Sequence, residues 1–240
     1  MSLILGEGIT KYFGGLTAVY HVDFHIDEGE IVGLIGPNGA GKTTLFNVIT
    51  GALPLDRGRI TFKGKEITNL KAFHICRAGI ARTFQSVKVF GSMSVYENVV
   101  LGIWYGMEKK GISVDARKTA LELLEFVGLG EFRDMPAGDL TLANQRRLEV
   151  ARALATRPDL LLLDELMAGL NPKEVSEAIE LVRKIRERGI TIFMIEHVMK
   201  AIMSICNRIM VLHHGEKIAE GTPEEVARNE KVIEVYLGEA

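Results

Sequence analysis

Polar and apolar residues alternate over residues 17–26, the first regular pattern in the chain. Side chains of a strand point to opposite faces in turn, so a period of two predicts a strand with one buried face. The apolar residues 3–5 precede it and predict a second strand. A short loop at residues 11–15, which contains Tyr12 and Phe13, joins the two segments. We therefore expect an antiparallel sheet at the N-terminus.

Several later segments are apolar throughout, which is typical of parallel strands that are buried on both faces. These segments are residues 31–35, 160–163 and 190–195. Apolar residues at helical spacing predict helices elsewhere. The predicted helices cover residues 42–50, 115–127, 143–155 and 172–188, and further strands are predicted within 57–67, 79–84, 208–213 and 217–219.

Composition limits the kinds of protein that this chain can be. Of its 240 residues, 47% are hydrophobic, which is enough for a large core. The formal net charge is -2, so the whole chain has no electrostatic basis for binding nucleic acid, and no nucleic-acid partner is expected. Cys76 and Cys206 lie far apart, so we expect neither a disulfide framework nor a zinc site. Apolar runs are too short to cross a bilayer and the N-terminus lacks signal-peptide features, so we expect a protein that stays inside the cell.

A phosphate-binding loop is predicted between the apolar run 31–35 and the helical segment 42–50. The spacing G-x-x-x-x-G-K-[ST] is satisfied by Gly36, Pro37, Asn38, Gly39, Ala40, Gly41, Lys42 and Thr43. In such a loop the backbone N–H groups surround phosphate oxygens, and the helix N-terminus adds partial positive charge. Lys42 would neutralise the β- and γ-phosphates, and the Thr43 hydroxyl would bind Mg²⁺. The alternative is a glycine-rich turn with a chance lysine, which the flanking strand and helix disfavour.

Polar side chains follow three other predicted strands. Asp164 ends the run 160–163 and is suited to hold Mg²⁺, directly or through water, whereas Glu165 is suited to align or deprotonate an attacking water. Gln85 follows residues 79–84 and could contact Mg²⁺ or water. His197 follows residues 190–195 and could bond the γ-phosphate, although a lone histidine is more often structural. Open α/β sheets bind ligands at the carboxyl ends of their strands, so we expect these side chains to meet there.

The predicted fold is α/β. It comprises a P-loop NTPase core with a mixed sheet, an N-terminal antiparallel β subdomain and an inserted α-helical subdomain. We expect the ATP-binding core to span residues 1–86 and 157–240. The helical subdomain is expected to span residues 87–156, where helical patterns replace strands.

In the order of these motifs the sequence resembles the ATP-binding subunits of ABC transporters over nearly the whole chain. The matching landmarks are an aromatic loop at Phe13, a Walker A segment from Gly36 to Thr44, a Q-loop at Gln85, a signature region at residues 140–145, a Walker B strand at 160–164, the catalytic Glu165, a D-loop at 168–171 and a switch His197. The stretches GIARTFQSVKVF, MSVYENVVLG and RRLEVARALATRP, and the ending VYLGEA, resemble the branch that serves branched-chain amino-acid import.

The resemblance implies roles for several residues. Phe13 would stack on adenine, although it could instead cover the sheet edge. Two subunits, identical or paralogous, would enclose two ATP molecules between one subunit's P-loop and the other's signature helix, where Thr141 and Ala143 would bind nucleotide. Integral membrane permease subunits would be partners, which places the chain peripherally on the cytoplasmic face of the membrane. A permease helix would enter an apolar groove formed by Val87, Val89, Phe90, Met93, Val95 and Tyr96.

The signature region departs from the usual L-S-G-G-Q because Leu142, Ala143 and Asn144 replace both glycines and the glutamine. We expect the added Cβ atoms to cause backbone strain that weakens closure of the dimer, and hence slow basal ATP hydrolysis by the isolated subunit. Leu166 also stands where proline usually follows the catalytic glutamate. A lipid-extracting or other ABC exporter, or a soluble ABC ATPase without a permease, stays open as an alternative function.

Overall fold

The computed structural model describes residues 2–107 and 115–237. In these residues the strands are β1 (Ser2–Phe13), β2 (Leu16–Asp27), β3 (Ile31–Ile35), β4 (Arg57–Phe62), β5 (Lys65–Glu66), β6 (Ile80–Arg82), β7 (Leu160–Asp164), β8 (Thr191–Ile195), β9 (Arg208–His213) and β10 (Glu216–Gly221). The helices are α1 (Lys42–Ile49), α2 (Ala72–Ala78), α3 (Val95–Met107), α4 (Ala116–Phe126), α5 (Leu142–Ala155), α6 (Pro172–Glu187), α7 (Met199–Ile205), α8 (Pro223–Ala227) and α9 (Glu230–Leu237).

The N-terminal sheet is antiparallel, as predicted, with the strand order β2-β1-β4-β5. Its first strand is much longer than the predicted residues 3–5. The apolar run of residues 3–5 stops at Gly6, and Gly8, two residues later, has a positive φ of 61°. Register shifts interrupt the pairing of β1 with β2 around these residues. Such bulges let a strand continue where its period of two is broken.

The second sheet is mixed, with the strand order β10-β9-β3-β8-β7-β6. The pairs from β9 to β6 are parallel, and β10 joins β9 in an antiparallel pair. Neighbouring residues of β7 enter two different hydrophobic clusters. Leu161 and Leu163 belong to the cluster that includes α3 to α7, whereas Leu160 and Leu162 belong to the cluster that includes α1 and the first sheet. This double burial explains why these strands are apolar throughout. The predicted α/β fold is confirmed.

The middle of the chain is helical in its described residues, where α3 packs against α4 and α5. The boundaries predicted for this subdomain stay a prediction. Two local predictions differ from the structure. The strand predicted at 79–84 is only the three residues of β6, and Val95, which we expected to line an exposed groove, is completely buried as the first residue of α3.

The short helix α2 was not predicted, because its seven residues contain only one buried side chain, Ile75. The last three residues of the ending VYLGEA, 238–240, lie outside the described residues. Within the described ranges, the structure contains no helix with the length and apolar character needed to cross a membrane.

Phe193 joins the two sheets across the core. It is completely buried in the centre of β8, and its ring lies 4.9 Å from Phe46 of α1 and 6.2 Å from Phe24 of β2, measured between centroids. The helix that begins at the phosphate-binding loop therefore rests on a strand of the second sheet through aromatic contacts.

We expect Phe193→Ala to lower the free energy of unfolding by about 3 to 5 kcal/mol, because it removes a large buried ring and leaves a cavity. Equilibrium urea denaturation measures this change. The exposed Phe73 of α2 provides the control, and Phe73→Ala should cost less than about 1 kcal/mol. Equal losses in the two variants would contradict the assignment of Phe193 as the junction between the sheets.

Candidate functional site

The loop between β3 and α1 adopts a conformation that depends on glycine. Gly36 and Gly41 have φ angles of +149° and +100°. A Cβ atom at Gly36 would lie 2.1 Å from the carbonyl oxygen of Leu212, and one at Gly41 would lie 2.4 Å from that of Ala18. Side chains at these two positions would collide with backbone on both sides of the loop. The glycines thus let the loop lie between β2 and β9, with α1 beginning immediately after it.

Lys42, the first residue of α1, is turned back over the loop. Its Nζ donates hydrogen bonds to the carbonyl oxygens of Gly36 at 2.6 Å and Pro37 at 2.9 Å, and the residue is buried. Burial lowers the pKa of the Lys42 ammonium, while the nearby carboxylates of Glu165 and Asp164 oppose this shift. The ammonium is therefore held over the loop by two of its own carbonyl oxygens.

A cavity of about 720 Å³ opens in front of this loop. It brings together residues that are far apart in sequence, including many that were predicted to bind nucleotide. Its lining comprises Phe13, Leu16, Thr17, Ala18, Asn38, Gly39, Ala40, Gly41, Lys42, Thr43, Thr44, Gln85, Glu165 and His214. Phe13 is 45% exposed, so its ring is available for stacking. We did not predict Leu16, Thr17, Ala18 or His214 as site residues, because they lie on ordinary strand and turn segments without a motif.

Asp164 ends β7 in a fully buried position beside the cavity residues. Its Oδ2 accepts a hydrogen bond from Nη2 of Arg82 at 2.6 Å, whereas its Oδ1 has no hydrogen-bond partner. Burial raises the pKa of the Asp164 carboxyl, and the Arg82 guanidinium opposes that shift. A buried oxygen without a donor is suited to a hard cation such as Mg²⁺.

Arg82 was not predicted as a site residue. Its guanidinium also donates to Oδ1 of Asn47 at 2.5 Å and lies over the rings of Phe46 and Phe84, 5.7 Å and 5.1 Å from their centroids. The signal in the sequence was a basic residue in a predicted buried strand, three positions before Gln85. Burial of such a charge requires a partner, and Asp164 is that partner.

Glu165 lies between the other two predicted strand-end residues. Its Oε2 accepts a hydrogen bond from Nε2 of Gln85 at 3.0 Å, and its Oε1 lies 3.0 Å from Nε2 of His197. Its backbone has a left-handed φ of +51°, which is uncommon for a residue other than glycine. The structure thus brings Gln85, Glu165 and His197 together at one edge of the sheet.

Thr141 and Ala143 lie elsewhere, at the start of α5. Thr141 is the N-cap of this helix, and its Oγ1 accepts a hydrogen bond from the backbone N–H of Asn144 at 3.4 Å. Neither residue lines the cavity at the P-loop of its own subunit.

The prediction of backbone strain in the signature region is wrong, because Leu142 and Ala143 belong to the first turn of α5 and neither has a positive φ. Side chains are tolerated there as in any helix.

A second cavity, of about 660 Å³, lies next to the Q-loop on the side of the helical insertion. Phe84, Phe90, Leu101 and Tyr105 supply apolar walls, and the remaining wall includes Lys88, Glu149 and Arg152. We call this cavity the insertion groove. Of the six apolar residues predicted to form a groove within residues 87–96, only Phe90 lines this cavity, and α3 contributes Leu101 and Tyr105.

Comparisons with known proteins agree with this geometry. Residues 19–168 match the protein family described as ABC transporter, and residues 216–240 match the family described as branched-chain amino acid ATP-binding cassette transporter. The chain is 43% identical to the high-affinity branched-chain amino acid transport ATP-binding protein BraF of Pseudomonas aeruginosa. That similarity covers 98% of this chain and 97% of BraF.

Solved structures show the same fold. The ADP conformation of MJ1267, an ATP-binding cassette of an ABC transporter, superposes with a TM-score of 0.88 at 34% identity, covering 99% of each chain. A dimeric post-hydrolysis state of the ATP-binding cassette MJ0796 bound to ADP and Pi gives 0.82 at 27% identity, covering 92% of this chain and 98% of that one. The predicted family is confirmed. The protein belongs to the ATP-binding subunits of ABC transporters, the ATPases that power transport.

Proposed function

We propose that this protein is the ATP-hydrolysing subunit of an importer for branched-chain amino acids. The match of residues 216–240 to a family described by that substrate class carries the proposal. The similarity to BraF over nearly the full length of both chains supports it as well. Neither observation favours an exporter or a soluble ATPase without a permease.

In this proposal ATP occupies the cavity at the P-loop. Phe13 stacks on adenine at the mouth of the cavity, and backbone N–H groups of residues 36–44 with the Lys42 ammonium hold the phosphates. The Thr43 hydroxyl, the Gln85 amide oxygen and Oδ1 of Asp164 are the oxygen donors that would hold Mg²⁺. When bound, Mg²⁺ would neutralise charge on the β- and γ-phosphates. The partnerless, buried Oδ1 of Asp164 supports this assignment.

Glu165 is the proposed general base, and Gln85 and His197 hold its carboxylate on two sides. A carboxylate in this position can accept the proton of a water that attacks the γ-phosphorus. His197 would in addition bond the γ-phosphate. Thr141 and Ala143 would meet the ATP of a second subunit, because they lie outside the cavity of their own. A dimeric cassette among the structural relatives supports that arrangement.

We expect Glu165→Gln to bind ATP as tightly as the wild type and to lose turnover, because an amide keeps the shape and loses the basicity of the carboxylate. ATP should then trap a dimer, which size-exclusion chromatography with light scattering detects. Glu224→Gln on the exposed first turn of α8 is the matched control and should hydrolyse ATP normally. Normal turnover in the Glu165 variant, together with a monomer in ATP, would contradict both the proposed base and the dimer.

The insertion groove is the proposed docking site for a cytoplasmic segment of the permease, which would place this subunit peripherally on the cytoplasmic face of the membrane. Its aromatic walls are bordered by cations: Nζ of Lys88 lies 4.6 Å from the ring centroid of Phe84, and the Arg152 guanidinium lies 4.6 Å from that of Phe90. An amphipathic helix presents apolar residues beside polar ones and fits such a surface.

We expect Phe90→Asp to abolish co-purification with the permease, because it removes an aromatic wall of the insertion groove and places a charged group where docking would exclude water. Folding and ATP binding of the isolated subunit should not change. Tyr20→Asp is the control, since Tyr20 is also an exposed aromatic residue, 49% against 47% for Phe90, on a different surface. A Phe90 variant that still co-purifies and supports amino-acid uptake would move the docking site elsewhere.

A further inference from the structure

Glu196 is a buried carboxylate for which the proposed mechanism has no role. It directly follows β8 and precedes His197, and it is only 2% exposed. Its Oε1 accepts a hydrogen bond from the backbone N–H of Met167 at 2.8 Å. The backbone N–H of His197, the next residue, also favours the charged form of this carboxylate and so opposes a rise of its pKa. A charged residue placed this deeply requires a structural or functional reason.

The turn that carries Glu165 supplies such a reason. Glu165 leaves β7 with a left-handed φ of +51°, and its backbone N–H donates to the carbonyl oxygen of Ile195 at 2.9 Å. Two residues later, Met167 is 1% exposed, so its N–H requires a buried acceptor. The Glu196 carboxylate is that acceptor. The turn is therefore tied at both ends to the last residues of β8.

We propose that Glu196 is a positioning residue for Glu165. Its hydrogen bond with Met167 holds the turn in the left-handed conformation that directs the Glu165 carboxylate between Gln85 and His197. This inference rests on the proposed role of Glu165 as the base. Glu196 is not among the residues that line the cavity at the P-loop, so it acts on Glu165 through the backbone of the turn.

Ionisation should control the strength of this bond, because a carboxylate accepts a hydrogen bond more strongly when it is charged. Burial, with a smaller contribution from the Glu165 carboxylate, raises the pKa of Glu196 to about 7, against the opposing effects of the Met167 N–H and of Arg146 in α5. The neighbouring titratable groups also include His197, the next residue, and Cys206, after α7, whose thiol has its pKa raised to about 12 by burial and therefore stays neutral. Glu196 thus gains its charge, and the turn its stronger bond, as the pH rises through neutrality.

The experiment compares Glu196→Ala, Glu196→Gln and the wild type as full-length proteins. Glu196→Ala removes the acceptor, and we expect kcat for ATP to fall roughly tenfold to a hundredfold, as displaced catalytic groups do, with unchanged binding of a fluorescent ATP analogue. Glu196→Gln keeps a neutral acceptor. The Glu196→Gln variant should retain most of the wild-type turnover. In the wild type, ionisation of Glu196 should raise kcat as the pH rises through 7, and this rise should be absent from the variant. Glu30→Gln, a partly buried residue that accepts the N–H of Asp27 far from the site, should follow the wild-type pH profile.

Two outcomes would overturn the inference. One is a Glu196→Ala variant with wild-type kcat; the other is a Glu196→Gln variant whose pH profile coincides with that of the wild type. If circular dichroism shows that Glu196→Ala does not fold, the pH profile of Glu196→Gln alone tests the inference. Glu165→Gln is assayed beside them. If it hydrolyses ATP normally, the proposed function of Glu165 fails; if it is inactive while both Glu196 variants behave as wild type, only the present inference fails.

Discussion

The parallel pairing of β7 with β8 is the constraint on which the site depends. In this register Asp164 lies opposite Ile195, so both strands end at the same level. The residues that follow, Glu165 on one strand and Glu196 with His197 on the other, therefore meet directly beyond the sheet. A shift of one residue would turn every side chain of a strand to the opposite face. Such a shift would also take Asp164 away from Arg82, its ion-pair partner.

Two buried ions at this edge have close polar partners. Arg82 neutralises Asp164 on one side of the site and leaves Oδ1 unpartnered. The Lys42 ammonium donates hydrogen bonds to two carbonyl oxygens of the loop. Arg82 also connects this edge with the insertion groove. Its guanidinium lies over the ring of Phe84, and Phe84 lines that groove. The Arg82 side chain thus contacts both the Asp164 carboxylate and Phe84 of the proposed permease surface.

The parts of the fold that could be predicted from the sequence are those with a strong local signal. The loop between β3 and α1 was predictable because its backbone conformation requires glycine at Gly36 and Gly41. Lys42 adds hydrogen bonds to the carbonyl oxygens of the same loop. The apolar runs of β3, β7 and β8 were predictable because both faces of each strand are buried. Elements set by tertiary contacts were not: β1 continues through a bulge at Gly8, and Val95 is buried by packing of α3 rather than exposed. Arg82 and Glu196 carry no motif, since their partners are Asp164 and a backbone N–H distant in sequence. The strain predicted at Leu142 and Ala143 is absent because both residues lie in the first turn of α5 and have no positive φ.

Isothermal titration calorimetry of ATP binding tests the central claim that Lys42 and its loop hold the triphosphate. Lys42→Ala should weaken ATP binding by about 3 to 5 kcal/mol, because it leaves phosphate charge uncompensated in a partly desolvated site. Lys65→Ala, at an exposed lysine of β5, should bind ATP as the wild type does. Equal affinity of the Lys42 variant and the wild type would contradict the account of this loop as the phosphate site.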